Sequence, residues 1–136
     1  MIKRTIFGMI LGIILVPWSL VAAPFDGSTP LLCTLLEVKE CQLAHACTSH
    51  PIGGAVMPLF LRIDFEQKKI VPPAESGRKE VTTISHVTSA DGNLIVLGDE
   101  NGHGWSLVIP QDTGQLSLSV SGDHYGFLAF GACTPL

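Results

Sequence analysis

Two groups of residues carry side chains able to do chemistry. The first is the run Cys41-x3-His45-x-Cys47-x2-His50, two thiols and two imidazoles within ten residues. Thiolate sulfur and imidazole nitrogen suit zinc or copper. This spacing matches no standard zinc knuckle, and the Cys-x-x-Cys-His of a covalent haem does not occur. The second group lies at turn-like stretches of the C-terminal half. Asp99, Glu100 and His103 flank Asn101-Gly102, and Asp123-His124 follow Gly122. In a simple hairpin series both turns fall at the same end, so Asp99, Glu100, His103, Asp123 and His124 would gather around one mouth. Such a cluster could bind a metal ion or move protons near neutral pH, where imidazole changes charge.

Ordinary turn chemistry accounts for the same residues, because Asp, Asn and Gly relieve backbone strain and keep loops solvated. No Gly-x-Ser-x-Gly elbow and no His-Glu-x-x-His helix is present. Gly102-x-Gly104 precedes no helix, which removes the phosphate-binding reading. The sequence therefore assigns no catalytic residue, no resident metal and no cofactor. His86 is expected on a strand face, and His45 and His50 in a loop. Trp105, Tyr125, Phe127 and Phe130 would offer ring faces to a sugar, but alternation aligns Trp105 with Leu107 and Ile109, a core pattern. Phe60 and Phe130 fall opposite their strands' core faces, and an exposed apolar patch of that kind meets partner proteins.

The elements that must position these groups are strands. Turn signals stand at Asp91-Gly92-Asn93, Asn101-Gly102, Asp112-Thr113-Gly114 and Ser121-Gly122-Asp123. Their spacing is that of a β-sandwich or barrel. Leu116, Leu118 and Val120 alternate with serines, and Leu59, Leu61, Ile63 and Phe65 alternate with Arg62, Asp64 and Glu66; both are two-residue periods of half-buried strands. Lys69 to Val71 reads as a short return strand, Glu80 to Ser89 as a longer one, and Leu31 to Val38 as the first, although Leu32, Leu35, Leu36 and Lys39 would also suit a helical turn. Residues 42–57 read as an irregular excursion. About eight strands and no long helix define an all-β domain, a small antiparallel barrel or sandwich. The expected inward set is Leu59, Leu61, Ile63, Phe65, Ile95, Trp105, Leu107, Leu116, Leu118, Tyr125 and Phe127, large enough to fill the interior.

Lys3 and Arg4, the apolar stretch Ile6 to Val16, and the small residues ending at Ala22-Ala23 follow the order of a secretory signal peptide. Cleavage after residue 22 or 23 is expected, leaving 23–136 as one β domain without a permanent membrane anchor. Its six basic residues against twelve acidic ones argue against nucleic acid as a partner. In the oxidising periplasm or outside the cell, an even number of cysteines reads first as disulfides. Four cysteines allow three connectivities. The preferred one joins Cys41 to Cys47 across a short loop and Cys33 to Cys133 across the domain.

Pro24-Phe25-Asp26-Gly27-Ser28, Pro30-Leu31-Leu32-Cys33, Leu61-Arg62-Ile63-Asp64-Phe65, Glu100-Asn101-Gly102, Gly104-Trp105-Ser106 and Phe130-Gly131-Ala132-Cys133 together resemble a group of small exported proteobacterial β-proteins. The resemblance implies an exported setting and brings no activity with it. A more distant likeness, in architecture and the C-terminal cysteine, is to periplasmic lysozyme inhibitors, and a shared fold does not carry function. The expectation is a non-enzymatic binding or inhibitory module of the cell envelope meeting an envelope or secreted protein. The alternatives are a periplasmic metal-binding protein and, last, a small hydrolase.

Overall fold

A computed structural model describes residues 24–53 and 57–136. The expected signal peptide, residues 1–22, and both candidate cleavage points lie outside the described residues. Among the described residues ten strands form one antiparallel sheet. They are β1 (Leu31–Gln42), β2 (Thr48–Ser49), β3 (Phe60–Asp64), β4 (Lys69–Val71), β5 (Thr82–Thr83), β6 (His86–Ala90), β7 (Asn93–Glu100), β8 (His103–Pro110), β9 (Gln115–Ser121) and β10 (Tyr125–Pro135). The order is β5-β4-β3-β1-β10-β9-β8-β7-β6, with β2 paired off on β1. The expected all-β domain is thus a curled antiparallel half-barrel.

The hairpins form where the turn residues allow a left-handed backbone. Asp91 and Gly92, and Asn101 and Gly102, all have positive φ, as a two-residue type I′ turn requires. At the last turn the left-handed residue is His124, at φ 64°, not Gly122. The longest ladder joins the two termini of the domain. β1 and β10 pair from Leu31↔Pro135 to Gln42↔Tyr125, and Cys33↔Cys133 is one of the pairs. Both disulfides of the preferred connectivity are present, Cys33–Cys133 and Cys41–Cys47, and no cysteine is free.

The first strand's ambiguous pattern has a structural cause. A β-bulge between Leu35 and Glu37 inserts Leu36 into β1. Inward positions therefore run Leu31, Cys33, Leu35 and then Val38, all buried, while Leu36 is two-thirds exposed. One extra residue turns a two-residue period into a helix-like step. Glu80 to Ser89 likewise is not one strand. β5 pairs with β4, the chain bends at the buried Ile84, and β6 pairs with β7. Ser85 N–H donates to the Leu97 carbonyl (2.9 Å), so this one run, 82–90, holds both margins of the curled sheet.

Packing is uneven along the barrel. At the end carrying the 111–114 turn, Phe25 is buried and covers Gly114, where a Cβ would overlap its ring. Leu31, Ile63, Leu94, Ile109 and Leu116 fill the layer above, all at most 2% exposed. Two expected core residues are not inward, and a third, Tyr125, stands at the rim of the cavity, 38% exposed. Leu94 and Val96 are buried in place of Ile95, which lies on the outer face of β7, and Leu59 is 44% exposed just before β3. The interior is also not filled throughout, because the opposite end holds a cavity.

Candidate functional site

The cavity, about 390 Å³, opens at the end of the half-barrel that carries the 101–102 turn. Leu61, Ile70, Leu107 and Leu118 make its apolar base, with Met57 beside them. Three aromatic residues stand above: Trp105 on β8, and Tyr125 and Phe127 on β10. The two-residue period places them inward on neighbouring strands, since Trp105 pairs with Val120 and Val120 with Phe127. Trp105 lies over Gly98 of β7, where even a methyl group would overlap the indole ring. Glycine at that position is what lets a tryptophan fit inside so narrow a curl.

Trp105 is 8% exposed, and its Nε1 is a buried side-chain polar atom without a hydrogen-bond partner, the single case among the described residues. Leaving such a donor unpaired costs about 1–3 kcal/mol. Other polar groups at the cavity are engaged. His103 Nε2 and Tyr125 Oη share a hydrogen bond. Thr82 Oγ1 donates to Glu100 Oε2 at 2.9 Å. The rings continue as a row: His103–Tyr125 centroids are 5.3 Å apart, Tyr125–Phe127 5.8 Å and Phe127–His50 5.2 Å. The last two contacts are edge-on, an arrangement favoured by the ring quadrupole.

The five polar residues expected around one mouth share an end of the sheet but not one site. Glu100 and His103 line the cavity. Asp99 pairs with Gly104 on the outer face and accepts a 3.5 Å hydrogen bond from Ser85 Oγ. Asp123 and His124 contact each other at 3.1 Å and are largely exposed. His124 instead borders a shallower depression with Glu40, Gln42, Leu43, His45 and Tyr125. No three His, Cys, Asp or Glu side chains converge as a metal site would need among the described residues. The run 41–50 is divided as well: its sulfurs form a disulfide, His45 is exposed, and His50 Nδ1–H donates to Glu40 Oε2 at 3.0 Å. Glu40 also accepts from Gln42 Nε2 (2.7 Å), and this bond first, opposed by partial desolvation and aided to a lesser degree by His50, holds its carboxyl below the usual glutamate range.

Phe60 and Phe130 lie where alternation puts them. Both are exposed on the outer face, at 42% and 44%, on the two strands that flank β1. Leu128 and the bulged Leu36 are exposed as well, so the patch spans three strands and is wider than the sequence implied. The sequence offered no signal for Arg78, Glu80 and Thr82 at the cavity, because the 72–83 stretch reaches it only through the return of β4.

No family model, no curated protein and no solved structure matches this chain.

Proposed function

We propose that the protein is an exported, non-enzymatic binding module that holds a small apolar ligand in the cavity of its half-barrel. The cavity carries this reading. At about 390 Å³ it is comparable with small-molecule sites of about 300–1,000 Å³. Its base is aliphatic, its wall aromatic and its charged groups stand apart from the base, the composition of a site that binds by burial and orients by a few polar groups. Export is supported by the leader-like order of residues 3–23 and by the two disulfides, which persist in oxidising compartments. No helix of the described residues is long and apolar enough to cross a membrane.

The test is saturable binding of an apolar aromatic probe such as naphthalene to the full chain with Trp18→Phe, read by the emission of Trp105. Saturation with one site is expected, together with its loss in Leu118→Phe, where the larger ring occupies the cavity. Absence of saturable binding by any apolar probe of that size refutes the reading.

The outer patch favours a second reading, docking of an envelope or secreted protein through Phe60, Leu36, Leu128 and Phe130. Wild-type protein would then retain from envelope extract a specific partner that Phe60→Ser/Phe130→Ser does not. Equal retention by both would dismiss the patch.

A further inference from the structure

We propose that the ligand of this cavity is an apolar amine: a hydrophobic body seated against the aliphatic base, with one positively charged nitrogen left at the mouth, where Glu80, Glu100 and the ring of Tyr125 receive it. This rests on the binding reading above and names its ligand class.

The cavity is the site, and the charges of its mouth decide what kind of head the ligand carries. Apart from His103, the ionisable side chains lining it that are charged near neutral pH are Arg78, Glu80 and Glu100. Both carboxylates belong to exposed residues, so a ligand's head reaches them from solvent. An ion does not follow the apolar body inward, because Leu61, Ile70, Leu107 and Leu118 would strip its water and return no polar side-chain atom.

Each carboxylate is held in place. Thr82 Oγ1 donates to Glu100 Oε2 at 2.9 Å, and the Lys79 N–H donates to Glu80 Oε2 at 3.1 Å. The first bond ties β5 to the end of β7, and Glu80 stands two residues before Thr82, so two negative charges share one opening. A carboxylate accepts up to about four hydrogen bonds and an ammonium brings three donors, so both acids retain capacity for it. Groups already fixed lose less freedom on binding. Arg78 opposes a cation. It lines the same cavity, it has a partner within the protein, and its charge offsets one of the two carboxylates. One negative charge is left in excess, in a domain with six basic and twelve acidic residues. Tyr125, hydrogen-bonded to His103 at the rim, adds an aromatic ring, whose face attracts a cation and not an anion.

Three probes with one apolar body separate the two levels of the claim. 2-(2-Naphthyl)ethylamine is a cation near neutral pH, 2-(2-naphthyl)ethanol is uncharged and 2-naphthylacetate is an anion. Each is titrated by calorimetry against the full chain, and against Glu80→Gln/Glu100→Gln, whose amides still accept the bonds from Lys79 and Thr82. At low salt the wild type should bind the amine about fivefold tighter than the alcohol, the worth of an exposed ion pair with a cation–π contact, and the acid least. That preference should shrink at high salt, vanish in the double variant and widen in Arg78→Gln. Should the double variant fail to fold, the salt dependence and Arg78→Gln decide. An alcohol or acid that binds as tightly as the amine, or an amine preference that survives loss of both carboxylates, overturns this inference and leaves the binding module standing. Failure of all three probes to bind overturns the two together.

Discussion

Removing each disulfide in turn by paired alanine substitution should separate two cross-links of very different worth. Cys33 and Cys133 lie 100 residues apart, Cys41 and Cys47 only 6. The loop-closure model assigns about 4.7 kcal/mol to the first and about 2 kcal/mol to the second. Cys33 is also wholly buried between Leu31 and Leu35 on the inner face, so losing its sulfur removes apolar packing worth about 1 kcal/mol more. Cys33→Ala/Cys133→Ala should therefore lose about 5–6 kcal/mol, enough to bring a domain of ordinary stability to the edge of unfolding. Cys41→Ala/Cys47→Ala should lose about 2 kcal/mol and remain folded. Urea unfolding followed by far-ultraviolet circular dichroism measures both, with the slope checked for changes in the denatured state. Equal losses, or a larger loss for the Cys41–Cys47 pair, would refute the loop-length argument.

Three further outcomes follow from single features. Gly114→Ala places a methyl group in the Phe25 ring at a residue with φ 67°, and should cost about 2–4 kcal/mol in urea melts; an unchanged midpoint would mean that Phe25 does not hold that end of the barrel. Glu40 is held below its ordinary value of 4.5, so its contribution to stability is complete above that pH and disappears as the pH falls through the lower native value. Glu40→Gln should flatten that acid limb in urea midpoints taken across it, and an unaltered limb would remove Glu40 from the account. Phe60→Ser/Phe130→Ser changes two exposed rings and should shift stability by no more than about 1 kcal/mol while lowering surface binding of a hydrophobic dye; a large loss of stability would show the rings to be part of the core.

The parts of this fold legible in the sequence are those set by local rules. Leu116, Leu118 and Val120 alternate because β9 has one buried face, and Asn101-Gly102 turns because both residues accept a left-handed backbone. The pairing of Cys33 with Cys133 followed from their places near the two ends of the domain, which here lie on neighbouring strands. What depended on tertiary closure was not legible. Ile95 and its neighbours are apolar on both faces, so periodicity alone could not choose the inward pair Leu94 and Val96. The bulge at Leu36 and the bend at Ile84 each change the parity of a strand without a Gly or Pro to mark them. The site was half legible: turn counting placed Glu100 and His103 at the mouth and alternation placed Tyr125 in the inward set, whereas the cavity is a property of curvature, which no window of residues encodes. Trp105 matched its expected core role and still left a donor unspent, a distinction visible only once its neighbours are known.

The wall around this cavity is not equally strong on all sides. Eleven residue pairs bind β1 to β10, while β5 is sewn to β4 by Lys69↔Thr83 and Ile70↔Thr82, with Ile84 N–H donating to the Lys68 carbonyl at 2.9 Å just beyond. Thr82 belongs at once to that short seam and to the cavity. Fluctuations of the folded state are cheapest where fewest bonds must part, so the molecule breathes first beside its own pocket. If the cavity holds the ligand proposed above, the guest would pass beside Thr82, while the long ladder that closes the domain stays shut.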